Sequence, residues 1–292
     1  VNAPTGTTTL AELRAAHGHK EPYNVRYWGI GNESWGCGGN FQPEEYSVEY
    51  RRFAEWVPRF GTNLSFIGAG PNGGDLNWSR RFFEKLAAKG GFGRMWGWAL
   101  HHYSSNVSAG LTTDWVLGKG AATGYPELEW YELLREAGKM DALIADHWIV
   151  MGEYDRRRQV KLVVDEWGSW YKPGTEQHNT HLLGQQSTIR DAILAGLTLD
   201  IFHRHADKVA MANIAQLVNC LQALFFAHED QLVLTPTYHV FDLYSAHQGA
   251  QSLRTVITSP AARYDRRGTP ATLPGLGGSA SLAGKTLTLT VT

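Results

Sequence analysis

The sequence predicts an α/β fold built on a parallel sheet, and three observations predict it. Short β-rich runs alternate with longer helical patterns, as β-α units require. The runs are separated by connections long enough to hold a crossover helix. Three of the runs end in polar, chemically capable residues, as the carboxyl ends of parallel strands do in enzymes that build their sites there.

In chain order, the expected strands are "NVRYWGIG" (24–31), "LSFIGAG" (64–70), "MWGWALHHY" (95–103), "VKLVVDEW" (160–167) and "VAMANIAQLV" (209–218). Helical patterns lie between them, at 43–59, 79–89, 127–157 and 185–206, with another at 236–247. The 127–157 stretch carries Leu133, Leu134, Ala137, Met140, Leu143 and Ile144 at helical spacing. After Gln251 the pattern changes: "SLRTVIT" and "KTLTLTVT" alternate like antiparallel strands around a Gly/Pro-rich stretch at 270–278. A domain boundary is therefore expected near 250, between a catalytic 1–250 and a β segment 251–292.

Composition narrows the partners. The chain has 292 residues, 43% of them hydrophobic, enough for a substantial core. A net charge of -1 supplies no field for nucleic acid or an anionic membrane, so neither is an expected partner. No apolar run reaches the length of a membrane span. Eleven tryptophans and twelve tyrosines suit sugar faces as well as they suit cores. Cys37 and Cys220 are too few for a disulfide framework. They permit a reducing compartment, which leaves location open with the cytoplasm favoured. The chain begins at Val1, and an upstream start is expected.

The chemistry gathers at the strand ends: Asn32 and Glu33 after the first strand, His101 and Tyr103 at the third, Asp165 and Glu166 at the fourth. A lone strand-end glutamate is ordinarily a solvated loop residue. Two of them flanked by tryptophans fit glycosidic cleavage, in which one carboxylic acid protonates the leaving oxygen and one carboxylate attacks the anomeric carbon. Two other patterns are set aside. "GAGPNG" (68–73) has the glycine spacing of a dinucleotide loop, but its helix starts too late and no acidic residue ends the next strand. His203 and His205 in "FHRHAD" sit two apart near a helix end, where the rings diverge and make a poor metal site.

"WGIGNESWGCGG" (28–39) and "VVDEWGSWY" (163–171), with "RDAILAGLTLDIFHRHADKVAMANIAQLVN" (190–219) and "VLTPTYHVFDLY" (233–244), closely resemble the α-L-arabinofuranosidases of glycoside hydrolase family 51 over about 11–247. The resemblance implies a (β/α) barrel of the TIM type, aligned here with its fourth to eighth strands only. It implies Glu33 as general acid/base and Glu166 as nucleophile of a retaining hydrolase that releases terminal α-L-arabinofuranosyl groups from arabinoxylan, arabinan or their oligosaccharides. No cofactor and no metal are expected.

The same resemblance makes Asn32 a donor to the sugar 2-hydroxyl, although a strand-end turn would also use Asn. Tyr103 would orient the nucleophile, His101 or His102 would line the pocket, and Gln216 on the eighth strand would bond a furanose hydroxyl. Trp35 and Trp170 would wall the scissile bond, or simply be core. Sugar-binding residues of the family's first strands have no counterpart here. Another retaining glycosidase, such as an endoglucanase or xylosidase, and a catalytically silent carbohydrate-binding remnant stay open as alternatives. Strands 24–31 and 209–218 would be unpaired edges of a half barrel, and a homo-oligomer covering them is expected.

Overall fold

The computed structural model describes residues 1–105, 112, 114–176 and 183–292. In chain order the elements are α1 (Thr9–Ala16), β1 (Tyr27–Ile30), α2 (Pro43–Trp56), β2 (Ser65–Gly68), α3 (Leu76–Ala87), β3 (Met95–Ser104), α4 (Glu127–Gly138), α5 (Met140–Tyr154), β4 (Lys161–Ser169), α6 (Ile189–Arg204) and β5 (Val209–Ile214). There follow β6 (Phe225–His228), β7 (Gln231–Leu234), α7 (Pro236–Tyr244), β8 (Gln251–Leu253), β9 (Ala262–Asp265), β10 (Pro270–Leu273), β11 (Gly278–Ala283) and β12 (Thr286–Val291). A five-stranded sheet has the order β1-β2-β3-β4-β5, so the α/β expectation and all five expected strands are present. Among the described residues no helix is long and apolar enough to cross a membrane.

The chain divides into two compact units, residues 1–100 with 146–163, and residues 101–145 with 164–292. In the first, β1 pairs in parallel with β2, Tyr27 opposite Ser65 through Ile30 opposite Gly68, and β2 pairs in parallel with β3. α2 begins at Pro43, whose missing N–H costs nothing at a helix start, and the Glu45 carboxylate accepts from the Gln42 N–H at 2.7 Å. α3 begins where Asp75 accepts from Trp78 N at 3.0 Å, three residues earlier than the apolar pattern suggests.

The two helices bury an aromatic core: Phe82 stacks on Trp98 at 4.3 Å and on Tyr46 at 5.3 Å. The Tyr46 hydroxyl donates to Ile30 O and accepts from Ala69 N, which ties the carboxyl ends of β1 and β2 together. Trp98 Nε1 donates to Ser79 Oγ at 2.9 Å, Ser79 lies 3.1 Å from His147 Nδ1, and His147 Nε2 lies 2.8 Å from Gly73 O. Burial pushes the His147 pKa down, so its ring serves this network uncharged.

The second unit holds the carboxyl-terminal parts of β3 and β4 together with β5. α6 is its central helix, burying Leu194, Ala195, Ile201 and Phe202. The antiparallel sheet β12-β11-β8 joins it: Ser279 Oγ and Tyr244 OH donate to Asp200 Oδ1 at 2.5 and 2.7 Å, and burial holds that carboxyl above the usual range. His203 lies 4.8 Å from His247 and 5.6 Å from Tyr244, centroid to centroid. Burial, reinforced by His247, brings the His203 pKa down to about 4. The second histidine of that motif, His205, lies 3.0 Å from Asp141 Oδ1.

Several elements differ from the expectation. The stretch at 127–157 is two helices, because the bonding pattern tightens at Gly138, a poor helix former: Lys139 N donates to Glu136 O before Leu143 N resumes with Lys139 O. β5 ends at Ile214 and leaves Gln216 outside the strand. α1 and the β6-β7 hairpin were not anticipated, and the 270–278 stretch contains β10, paired antiparallel with β9.

Gly70 accounts for the dinucleotide-like glycines by packing: a Cβ there would sit 1.6 Å from Ala99 O. Gly70→Ala should therefore destabilise the fold by about 2 kcal/mol or more, the range of severe core clashes, and urea denaturation would show it as a lowered midpoint. His203 supplies a pH test. Its folded pKa of about 4 lies below the ordinary 6.5, so the unfolded chain takes up the proton first as pH falls. Stability is full above pH 6.5 and falls progressively from there to about 4. His203→Gln should flatten that decline in Tm, and an unchanged slope would count against it.

Candidate active site

The first cluster lies in the first unit, immediately after β1. Residues 32–39 turn tightly: Gly36 N and Gly38 N both donate to Glu33 O, at 2.8 and 3.0 Å. Gly38 is needed because a Cβ would fall 1.7 Å from Asn32 O. Glu33 takes φ 42°, left-handed and costly for a residue with a side chain. The turn leaves Asn32 exposed and Glu33 and Trp35 half-buried. The Cys37 thiol donates to Glu33 Oε2 at 3.3 Å. Neither Cys37 nor Cys220 is in a disulfide.

The second cluster lies in the second unit, where β3 and β4 end. Residues 101 and 103 share one face of β3 because side chains alternate along a strand. Tyr103 OH donates to Glu166 Oε1 at 2.5 Å. The His101 ring, 7% exposed, has Nδ1 3.4 Å from Glu166 Oε2 and Nε2 3.2 Å from Asp165 Oδ1. The Asp165 approach lacks hydrogen-bond geometry. His102 points to the opposite face, where its Nε2 meets Glu136 O at 3.1 Å and burial lowers its pKa. Of the two histidines, His101 is the one beside the glutamate.

Trp170 meets Tyr103 edge to face at 4.9 Å. Trp115 and Lys119, neither singled out by the sequence, complete this corner: the rings of Trp115 and Trp170 are 5.2 Å apart. Gln216 is exposed just beyond β5, next to Ala215, whose N–H donates to Trp167 O at 3.0 Å. Cys220 is also drawn in, its thiol pKa raised by burial and by the Glu166 charge.

Buried polar groups hold the end of β4. Asp191 Oδ1 accepts from Ser169 Oγ and from Tyr171 OH, both at 2.6 Å. Its Oδ2 accepts from Thr188 N at 2.7 Å and from Thr188 Oγ1 at 3.1 Å, closing the amino end of α6. Gln222 Oε1 accepts from Ser169 N at 2.8 Å. The Arg190 guanidinium lies 3.5 and 4.4 Å from the ring centroids of Tyr125 and Tyr171. Burial and the Asp191 charge raise the Tyr171 pKa well above its ordinary value, which keeps the hydroxyl a donor.

A parallel α/β sheet with a glutamate on a tight turn after one strand and a tyrosine-held glutamate at the end of another defines a scaffold of the glycoside hydrolase class. Comparison with known proteins narrows it. Residues 1–108 match the model of the α-L-arabinofuranosidase 1 domain and residues 165–292 that of the α-L-arabinofuranosidase C-terminal domain. The chain belongs to glycoside hydrolase family 51.

An intracellular exo-α-L-arabinofuranosidase of Bacteroides ovatus is 36% identical over 256 residues, covering 87% of this chain and 47% of the relative. The crystal structure of the family 51 arabinofuranosidase of Xanthomonas axonopodis pv. citri superimposes with a TM-score of 0.82 at 36% identity, over 97% of this chain and 54% of that one. An arabinose complex of the Thermotoga maritima α-L-arabinofuranosidase gives a TM-score of 0.67 at 26% identity, over 98% of this chain and 55% of that one. The chain spans about half the length of the curated relatives it matches.

The Asp191 network yields a rank order. Asp191→Ala strands four donors and should cost about 2–4 kcal/mol, while Tyr171→Phe removes a single bond and should cost about 1 kcal/mol. Equal losses in denaturant melts would contradict the network's role.

Proposed function

We propose that the chain acts as a retaining α-L-arabinofuranosidase, releasing terminal α-L-arabinofuranosyl groups from arabinoxylan, arabinan or arabino-oligosaccharides. The observation that carries this reading is the Tyr103 hydroxyl on Glu166 Oε1 at 2.5 Å, in a chain of family 51. One carboxylate oxygen is thereby oriented, and the other can attack the anomeric carbon to form a glycosyl-enzyme. Glu33 protonates the departing oxygen. Esterification of Glu166 then removes its negative charge, which eases proton loss from Glu33 and lets it activate water for the second displacement. Asn32 and Gln216 hydrogen-bond sugar hydroxyls in this reading, His101 lines the pocket, and Trp35 and Trp170 flank the sugar. Glu33 follows the end of one strand and Glu166 lies near the end of another, the kind of position from which the two carboxylates of this reading act.

The finer architecture is part of the proposal. The five strands would be the fourth to eighth of a (β/α) barrel, with residues 1–250 catalytic and 251–292 opening a β-sandwich. Exposed Tyr27 and Trp28 on the β1 edge favour self-association there. The naming of relatives as intracellular favours a location inside the cell.

An aryl α-L-arabinofuranoside assay tests the roles. Glu166→Ala should lower turnover by about four orders of magnitude, and azide should restore part of it with inverted product stereochemistry. Glu33→Ala should lose far less on good leaving groups than on poor ones. Full turnover in Glu166→Ala, or equal losses for both leaving-group classes in Glu33→Ala, would overturn the assignments.

A further inference from the structure

Residues 114–119 form a compact turn stapled by one carboxylate: Asp114 Oδ1 accepts from Val116 N and Leu117 N at 2.9 and 2.7 Å. The turn delivers Lys119 into an aromatic corner. Its ammonium lies 4.1 Å from the ring centroid of Trp115 and 4.3 Å from that of Trp170. Lys119 is 8% exposed, and among the described residues it has no carboxylate partner. A buried cation in such a place is held by the negative faces of the two indoles. Burial lowers its pKa, consistent with a charge that has traded water for rings.

The two rings it holds are not remote from the chemistry. Tyr103, the donor to Glu166, packs edge to face on both, at 4.9 Å from Trp170 and 6.4 Å from Trp115. Trp115 is 46% exposed, so the ring offers a free surface on the corner that Lys119 closes from within. A flat indole open to solvent beside a candidate nucleophile suits the apolar face of a sugar. Such a platform works only if its angle is fixed before the sugar arrives.

We propose that Lys119 is a positioning residue for substrate, its charge clamping Trp115 and Trp170 into one wall beside Glu166 against which the oligosaccharide stacks. The proposal rests on the hydrolase reading above for the identity of the stacked ligand, while the clamp itself rests on the cation and the two rings. A purely structural lysine would act through its aliphatic stem, and Met retains that stem without the charge. Arg retains the charge and stacks on indole.

The test compares the full chain with Lys119→Met and Lys119→Arg, using an arabino-oligosaccharide as substrate and near-ultraviolet circular dichroism as a report on the tryptophan pair. Lys119→Met should raise KM about tenfold, equivalent to about 1.4 kcal/mol, while kcat changes by less than about threefold. Its near-ultraviolet spectrum should change while the far-ultraviolet spectrum does not. Lys119→Arg should restore KM and the spectrum. Wild-type KM and spectrum in Lys119→Met would overturn the proposal, as would a Lys119→Arg variant as impaired as Lys119→Met. A wild-type chain inactive on every arabinofuranoside would overturn the hydrolase reading, and the spectra would still decide the clamp.

Discussion

The Asp191 carboxylate is the interaction on which the second unit's cluster depends. It is fully buried and accepts from the hydroxyls of Ser169 and Tyr171 on one oxygen and from Thr188 on the other. These bonds fasten the end of β4 to the start of α6. Glu166 stands three residues before Ser169 on the same strand, so its backbone cannot shift without breaking bonds that water would not replace. Four donors satisfy one charge here, which is how a carboxylate remains tolerable in an interior. The neighbouring Arg190 follows another route, with its guanidinium between the rings of Tyr125 and Tyr171 and one amino group donating to Ala121 O.

The same economy of charge recurs at Lys119. Lys119 and Arg190 each lie against two aromatic rings, and among the described residues neither is ion-paired with a carboxylate. The nucleophile candidate keeps a neutral donor, Tyr103, as its closest partner. A neutral hydroxyl orients a carboxylate without neutralising it, whereas an arginine at that distance would blunt its attack.

Much of the sheet was legible because burial on both faces demands continuous apolar runs, as in "KLVV" of β4, whose last three residues are completely buried. Glu33, Tyr103 and Glu166 were legible through motifs. What escaped were features that composition does not mark. Glycine 138 looks like an interior residue of one long pattern, and the switch to two helices is a matter of local hydrogen bonding. Lys119 lies in "VLGKGAATG", which reads as a polar turn; only the fold brings Trp170 to it across the sequence. The β6-β7 hairpin turns through Glu229 at φ 51°, a position where sequence patterns lead one to look for glycine or asparagine.

The two compact units are not consecutive lengths of chain. The backbone passes between them after residues 100, 145 and 163, and the first and last of these passages fall inside β3 and β4. His101 and Tyr103 follow one passage and Glu166 the other by only a few residues. A gene fragment cut to deliver either unit alone would therefore have to sever a strand and splice distant segments. The polypeptide's covalent path makes the molecule indivisible: fusion partners, inserted tags and engineered breaks belong outside residues 95–169 if the candidate nucleophile is to keep its surroundings.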